Sequence, residues 1–161
     1  MTWKVYGNPY AAGELGNTSI SQGIKFHQNM MIKAFRVWVV VVGAPTLLGL
    51  RLKVYGNNEQ SDIPSKLLYT SSNSWDMADI MSTHPHGVKE IYFDFDDAFH
   101  VHSDNLYHLV LNADTYTPSG SNEFAWRTVW PDPVYTENYT VTGNNYLNSP
   151  NFVSAVIGSV V

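Results

Sequence analysis

Six histidines and a short run of aspartates are the residues whose types and spacing could do chemistry in this chain. The pairs His84-Pro85-His86 and His100-Val101-His102 set imidazoles at i and i+2. On a strand that is one face, the arrangement by which some β proteins hold Zn²⁺ or Fe²⁺. A third ligand is then required, and His108 supplies it if residues 103–105 turn the chain into a hairpin. His84 and His86 lie between Pro and Gly and read as a loop. Exposed or hydrogen-bonded strand histidines are the commoner outcome, so no metal and no other cofactor is expected. Asp94, Asp96 and Asp97 include two carboxylates at i and i+2, about 7 Å apart on a strand and close to the separation glycosidases use. A glycosidase pair flanks a cleft from different elements, however. A Ca²⁺ site needs a Gly-bearing loop to curl around the ion, which the Asp-x-Asp-Asp group lacks. A solvated strand face is the expectation. With no cysteine, no Gly-x-Ser-x-Gly elbow and no Gly-rich phosphate loop leading into a helix, the chain offers no nucleophile or phosphate cradle and reads as not an enzyme.

Aromatic residues are the remaining signal. Trp75, Trp126, Trp130, Tyr135 and Tyr139 fall in or beside loops and strand ends, with Arg127 and Asp132 among them. Flat rings beside hydrogen-bonding side chains suit either stacking on a pyranose or anchoring a protein interface, where Trp, Tyr and Arg are enriched. Core packing competes with both. Trp75, Trp126, Arg127, Trp130 and Tyr135 are therefore interface or glycan-binding candidates. The two ends favour an interface. Residues 152–161 carry no charge, a hazard unless they pair with a sheet or another subunit, so burial is expected there. Residues 1–19 carry Trp3, Tyr6 and Tyr10 among Gly, Asn and Pro without strand period, as an extended assembly arm would.

The elements that would position these residues are strands. Alternation over 47–55 puts Leu48, Leu50, Leu52 and Val54 on one face; over 88–96 it puts Ile91, Phe93 and Phe95 inward and Tyr92, Asp94 and Asp96 outward. Residues 34–42 are apolar on both faces except at Arg36 and read as a central strand. Residues 106–112, 124–130, 134–141 and 152–161 complete about nine or ten strands, and only 75–81 could form a helical turn. The class is all-β, a sandwich or barrel over residues 20–161 preceded by the arm 1–19.

Of 161 residues only 14% are charged, with a net charge of −5, while 14 Asn, 14 Ser and 11 Thr make the surface polar without making it ionic. No basic stripe is present, which argues against nucleic acid. The longest apolar run is too short to span a bilayer, which takes about 20 residues. The sequence opens without an apolar leader.

The segments Val42-Gly43-Ala44-Pro45-Thr46, Leu50-Arg51-Leu52-Lys53-Val54-Tyr55, Ile63-Pro64-Ser65-Lys66-Leu67-Leu68-Tyr69, Ile91-Tyr92-Phe93-Asp94-Phe95 and Tyr107-His108-Leu109-Val110-Leu111, closed by Trp126, resemble a jelly-roll β-sandwich module. That module recurs in choice-of-anchor bacterial surface proteins and in phage structural proteins. The resemblance spans residues 20–130, with Ser65 where the module usually has Gly. It attaches no catalytic residue. It implies an antiparallel two-sheet jelly-roll sandwich, non-enzymatic and part of a larger assembly, such as a virion decoration, cement or fibre protein. Such a protein would be made in a host cytoplasm, be homo-oligomeric, and be partnered by a capsid or tail protein. A carbohydrate-binding module that takes a cell-surface glycan is the rival expectation.

Overall fold

The computed structural model describes residues 19–26, 28–60, 63–83, 88–117, 123–126, 128–129, 139–140, 151–152 and 154–161. In chain order these form β1 (Ser19–Phe26), β2 (Met30–Val42), β3 (Thr46–Leu48), β4 (Arg51–Asn58), β5 (Ile63–Thr70), α1 (Met77–Thr83), β6 (Val88–Val101), β7 (Leu106–Asn112), β8 (Thr115–Thr117), β9 (Glu123–Trp126), β10 (Thr128–Val129), β11 (Tyr139–Thr140), β12 (Asn151–Phe152) and β13 (Ser154–Val160). The fold is all-β and its strand pairs are antiparallel. Five strands run in the order β11-β1-β7-β4-β5; a second sheet runs β13-β2-β6, with β9 also on β2; β10-β12 and β3-β8 are small pairs. No helix among the described residues is long and apolar enough to cross a membrane.

Alternation explains which residues form the core. In β6, Ile91, Phe93 and Phe95 are buried while Tyr92, Asp94 and Asp96 are exposed, as the sequence predicts. Leu50, Leu52 and Val54 turn inward from one sheet, and Phe35, Val37 and Val39 from the other. Both sheets contribute to a single hydrophobic cluster. Burying each such side chain contributes roughly 1.5–3 kcal/mol. Tyr69 of β5 stacks on Phe99 of β6 with ring centroids 4.0 Å apart, which ties an outer strand of one sheet to the other sheet. Strand β7 is buried on both faces, consistent with its place between β1 and β4.

The central strand of the second sheet is β2. Its residues 30–40 pair with β6 on one side, while β13, opposite residues 30–37, and then β9, opposite residues 39–42, follow one another along the other side. The uncharged C-terminal run is therefore paired within the chain, from Ser154 opposite Val37 to Val160 opposite Met30. Strand β13 nevertheless ends the order of its sheet and, among the described residues, pairs only with β2. Both ladders of β2 skip at Lys33: β13 shifts between Ile157 and Gly158, and β6 passes from Asp94 to Phe99 opposite Ala34 and Ile32. Such a bulge frees backbone carbonyls. The Lys33 ammonium donates to two of them, Phe95 O at 2.7 Å and Asp96 O at 2.9 Å.

One expected strand is broken. Residues 47–55 do not form a single alternating run: Leu47 is buried and Leu48 exposed, and the alternation restarts at Leu50. The cause is Gly49, whose φ is +64°, a left-handed conformation that costs a side-chain-bearing residue about 1 kcal/mol or more. Its N–H donates to the Asp76 carboxylate at 2.8 Å, and the Asp114 N–H donates to Leu48 O at 3.0 Å. The turn sends β3 to pair with β8 and β4 to pair with β7. A Cβ at Gly49 would also collide with the Asp114 carboxylate. Replacing Gly49 with Ala is expected to lower unfolding free energy by about 1–3 kcal/mol in a denaturant titration. An unchanged midpoint would contradict this account of the turn.

Candidate functional site

On the outward face of β2 and β6 two cross-strand pairs lie side by side: Arg36 opposite Tyr92, and Trp38 opposite Glu90. Their chain neighbours Phe35, Val37, Ile91 and Phe93 are all buried, so alternation directs these four away from the core. The Arg36 guanidinium lies 4.8 Å from the Trp38 ring centroid and 5.9 Å from that of Tyr92, a cation–π bracket across two strands. Diagonally, Arg36 Nη1 meets Glu90 Oε1 at 3.1 Å. The Tyr92 hydroxyl donates to the same oxygen at 2.5 Å. Tyr92 keeps 39% of its surface exposed. The result is a small, charge-compensated patch of two rings, a guanidinium and a carboxylate on one sheet face.

Neighbouring residues fix its position. Strand β6 ends the order of its sheet, and the segment 71–75 runs along that open edge. Asn73 acts there as a strand substitute, donating from Nδ2 to Tyr92 O at 2.8 Å and accepting the Asp94 N–H on Oδ1 at 2.8 Å. Ser72 donates its N–H to Asp94 O and accepts the Asp96 N–H on its hydroxyl. Trp75 Nε1 donates to Tyr92 O at 2.7 Å, while its backbone forms a two-way bridge with Leu50. Covering an edge in this way keeps another strand from adding to it.

Of the sequence candidates, Trp75 thus serves as a seam between the two sheets, packed against the core and touching the patch only through Tyr92 O. Trp126 stands in β9 opposite Val39. Arg127, Trp130 and Tyr135, and the arm residues Trp3, Tyr6 and Tyr10, lie outside the described residues, as do His84 and His86.

The histidine triad does not assemble. Residues 103–105 do not make a β6–β7 hairpin: β6 pairs with β2, whereas β7 pairs with β1 and β4 in the other sheet. His100 and His102 stay together, with ring centroids 5.9 Å apart, and His100 lines an open cleft of about 630 Å³ with Met31, Tyr69, Asp97 and Phe99. His108 is fully buried in β7, its Nε2 2.7 Å from Asn57 Oδ1. Among the described residues no three His, Cys, Asp or Glu side chains come together as metal ligands. Asp94, Asp96 and Asp97 are exposed, and the backbone around them is engaged by Ser72, Asn73 and Lys33.

The patch itself escaped the sequence reading. Arg36 stood out as the one interruption of an apolar run, and Tyr92 as outward facing. Only the β2–β6 register places them together and adds Trp38 and Glu90. No family model, curated protein or solved structure matches the chain.

Hydrogen bonding to Tyr92 and then to Glu90 raises the Arg36 guanidinium above its ordinary value. The Tyr92 hydroxyl, and then Arg36, hold the Glu90 carboxyl below its ordinary value of 4.5. A carboxyl lowered in the folded state stabilises above its unfolded value, and that contribution fades as pH falls through the folded one. The pair is partly exposed, so the contribution should stay below about 1 kcal/mol. Wild-type protein should lose more stability between pH 5 and 3 than Glu90→Gln, as melts across that range at fixed ionic strength would report. Parallel pH profiles would contradict the assigned role of Glu90.

Proposed function

We propose that this chain is a non-enzymatic structural component of a larger assembly. In this reading it is a two-sheet jelly-roll sandwich that serves a virion as a decoration, cement or fibre protein, oligomerises with itself and docks on a capsid or tail protein. The observation that carries the assembly reading is strand β5. It ends the order of the five-stranded sheet and, among the described residues, pairs only with β4. Ile63, Leu67 and Leu68 are each about two-fifths exposed on it. Natural proteins blunt long apolar edges, because unpaired N–H and C=O groups beside aliphatic side chains recruit another strand. The β6 edge is covered by Ser72, Asn73 and Trp75; on β5, among the described residues, Pro64, Lys66 and two register shifts are what blunts the edge, and they leave Leu67 and Leu68 exposed.

A second copy of the chain is the simplest occupant, since two like edges can pair about a two-fold axis with no new surface. One lysine, Lys66, is the only charge on β5, so self-pairing meets little repulsion. The kind of assembly comes from the resemblance of residues 20–130 to phage structural modules.

Light scattering on purified protein tests this reading. A defined oligomer is expected, and a Leu67→Lys, Leu68→Lys variant should shift to monomer with its far-UV circular dichroism unchanged. A wild-type protein that remains monomeric at tens of micromolar would overturn it.

A further inference from the structure

The geometry points to a second activity on a different face: the Arg36–Trp38–Glu90–Tyr92 patch is a binding site for a neutral, pyranose-containing glycan. This goes beyond the assembly reading and uses none of the β5 residues.

Three features favour a sugar ring over other ligands. The first is footprint combined with rigidity. The side chains project from neighbouring strands about 4.8 Å apart and from positions about 7 Å apart along each strand, a footprint close to one six-membered ring with its hydroxyls. Arg36 brackets both rings, and the Tyr92 carbonyl receives bonds from Asn73 and Trp75. Little side-chain freedom is left to lose on binding. The second is charge. Arg36 and Glu90 already neutralise each other at 3.1 Å, so an anionic or cationic ligand would have to break that pair, whereas a neutral hydroxyl can add to it. The third is the supply of hydrogen-bonding atoms beside an aromatic face. Arg36 and Tyr92 both bond Glu90 Oε1 and the Trp38 indole also hydrogen-bonds this carboxylate, so Glu90 is held in place with acceptor lone pairs turned to the patch border, where a sugar hydroxyl can add. Axial C–H groups of a pyranose would lie on the exposed Tyr92 ring, and its equatorial hydroxyls would reach the carboxylate and guanidinium at the edge.

A protein partner would use the same aromatics differently. Hot spots favour deep, fully desolvated anchors. This patch instead has hydrogen-bonding groups along its border and stays on a sheet face.

The test is native affinity electrophoresis of the whole chain in gels containing soluble neutral polysaccharides (mixed-linkage glucan, xylan, galactomannan, pullulan), with polygalacturonate as the anionic control. The monomeric Leu67→Lys, Leu68→Lys variant is run alongside, so that avidity is separated from affinity. Retardation is expected in at least one neutral gel and should be kept, though weaker, by the monomeric variant. Tyr92→Ala should weaken it by about tenfold or more, the loss of one stacking aromatic. Tyr92→Phe and Glu90→Gln should each weaken it by a few-fold, with circular dichroism unchanged. The inference is overturned by no retardation in any neutral gel, by retardation only in polygalacturonate, or by Tyr92→Ala binding as well as wild type. A change of solution mass in Tyr92→Ala without any glycan retardation would also overturn it and would mark the patch as a protein interface.

Discussion

Strand β2 has to be hydrogen-bonded on both sides along most of its thirteen residues, and most of the architecture follows from that requirement. Its β6 side is filled by one long partner, and its other side by two short ones, β13 and β9. The partners do not match it residue for residue. The ladder breaks at Lys33, where a bulge takes up the difference and the ammonium group bonds two of the freed carbonyls. Both bonds lie at or near the surface, where water is the alternative partner, so each contributes a net of about 0.5–1.5 kcal/mol. On one face of β2 the fixed register lines up the apolar core. On the other it places Arg36 and Trp38 beside Tyr92 and Glu90, so core and patch are two sides of one alignment.

What the sequence reveals divides along local and non-local lines. Inward and outward sides of β6, the double burial of β7 and the central position of β2 are legible, because a period of two is a local property of the chain. The break at Gly49 is not. Leu48 and Leu50 look like neighbours on one face, and the turn between them is set by Asp76 and Asp114, far away in sequence. The His100, His102 and His108 grouping failed for a related reason: short spacing suggested a hairpin, while the chain crosses from one sheet to the other between His102 and Leu106. Asn73 substituting for a strand, and Trp75 joining the two sheets, likewise depend on which backbone they meet. Trp75, a binding candidate by its residue type and place in a loop, serves mainly as a structural tie. Of the patch residues, Arg36 and Tyr92 are visible in the sequence pattern, whereas Trp38, Glu90 and the cross-strand pairing come only from the β2–β6 register.

The two outer strands contrast in a way that bears on function. The free side of β6 is covered by side-chain amide, hydroxyl and indole groups from residues 72–75. Strand β5 carries Ile63, Leu67 and Leu68 partly exposed and, among the described residues, bonds only to β4 through a ladder with two register shifts. In the assembly proposal β5 is the docking edge, and the Arg36–Tyr92 patch lies on the other sheet, where pairing through β5 would leave it accessible.

Backbone hydrogen exchange of β5 as a function of protein concentration tests the central claim most directly. If β5 is paired between copies, amides in residues 63–70 should exchange slowly in concentrated solution and markedly faster on dilution, while those of β7, held within the chain on both sides, should not change. Exchange in residues 63–70 that is the same at every concentration would contradict the account.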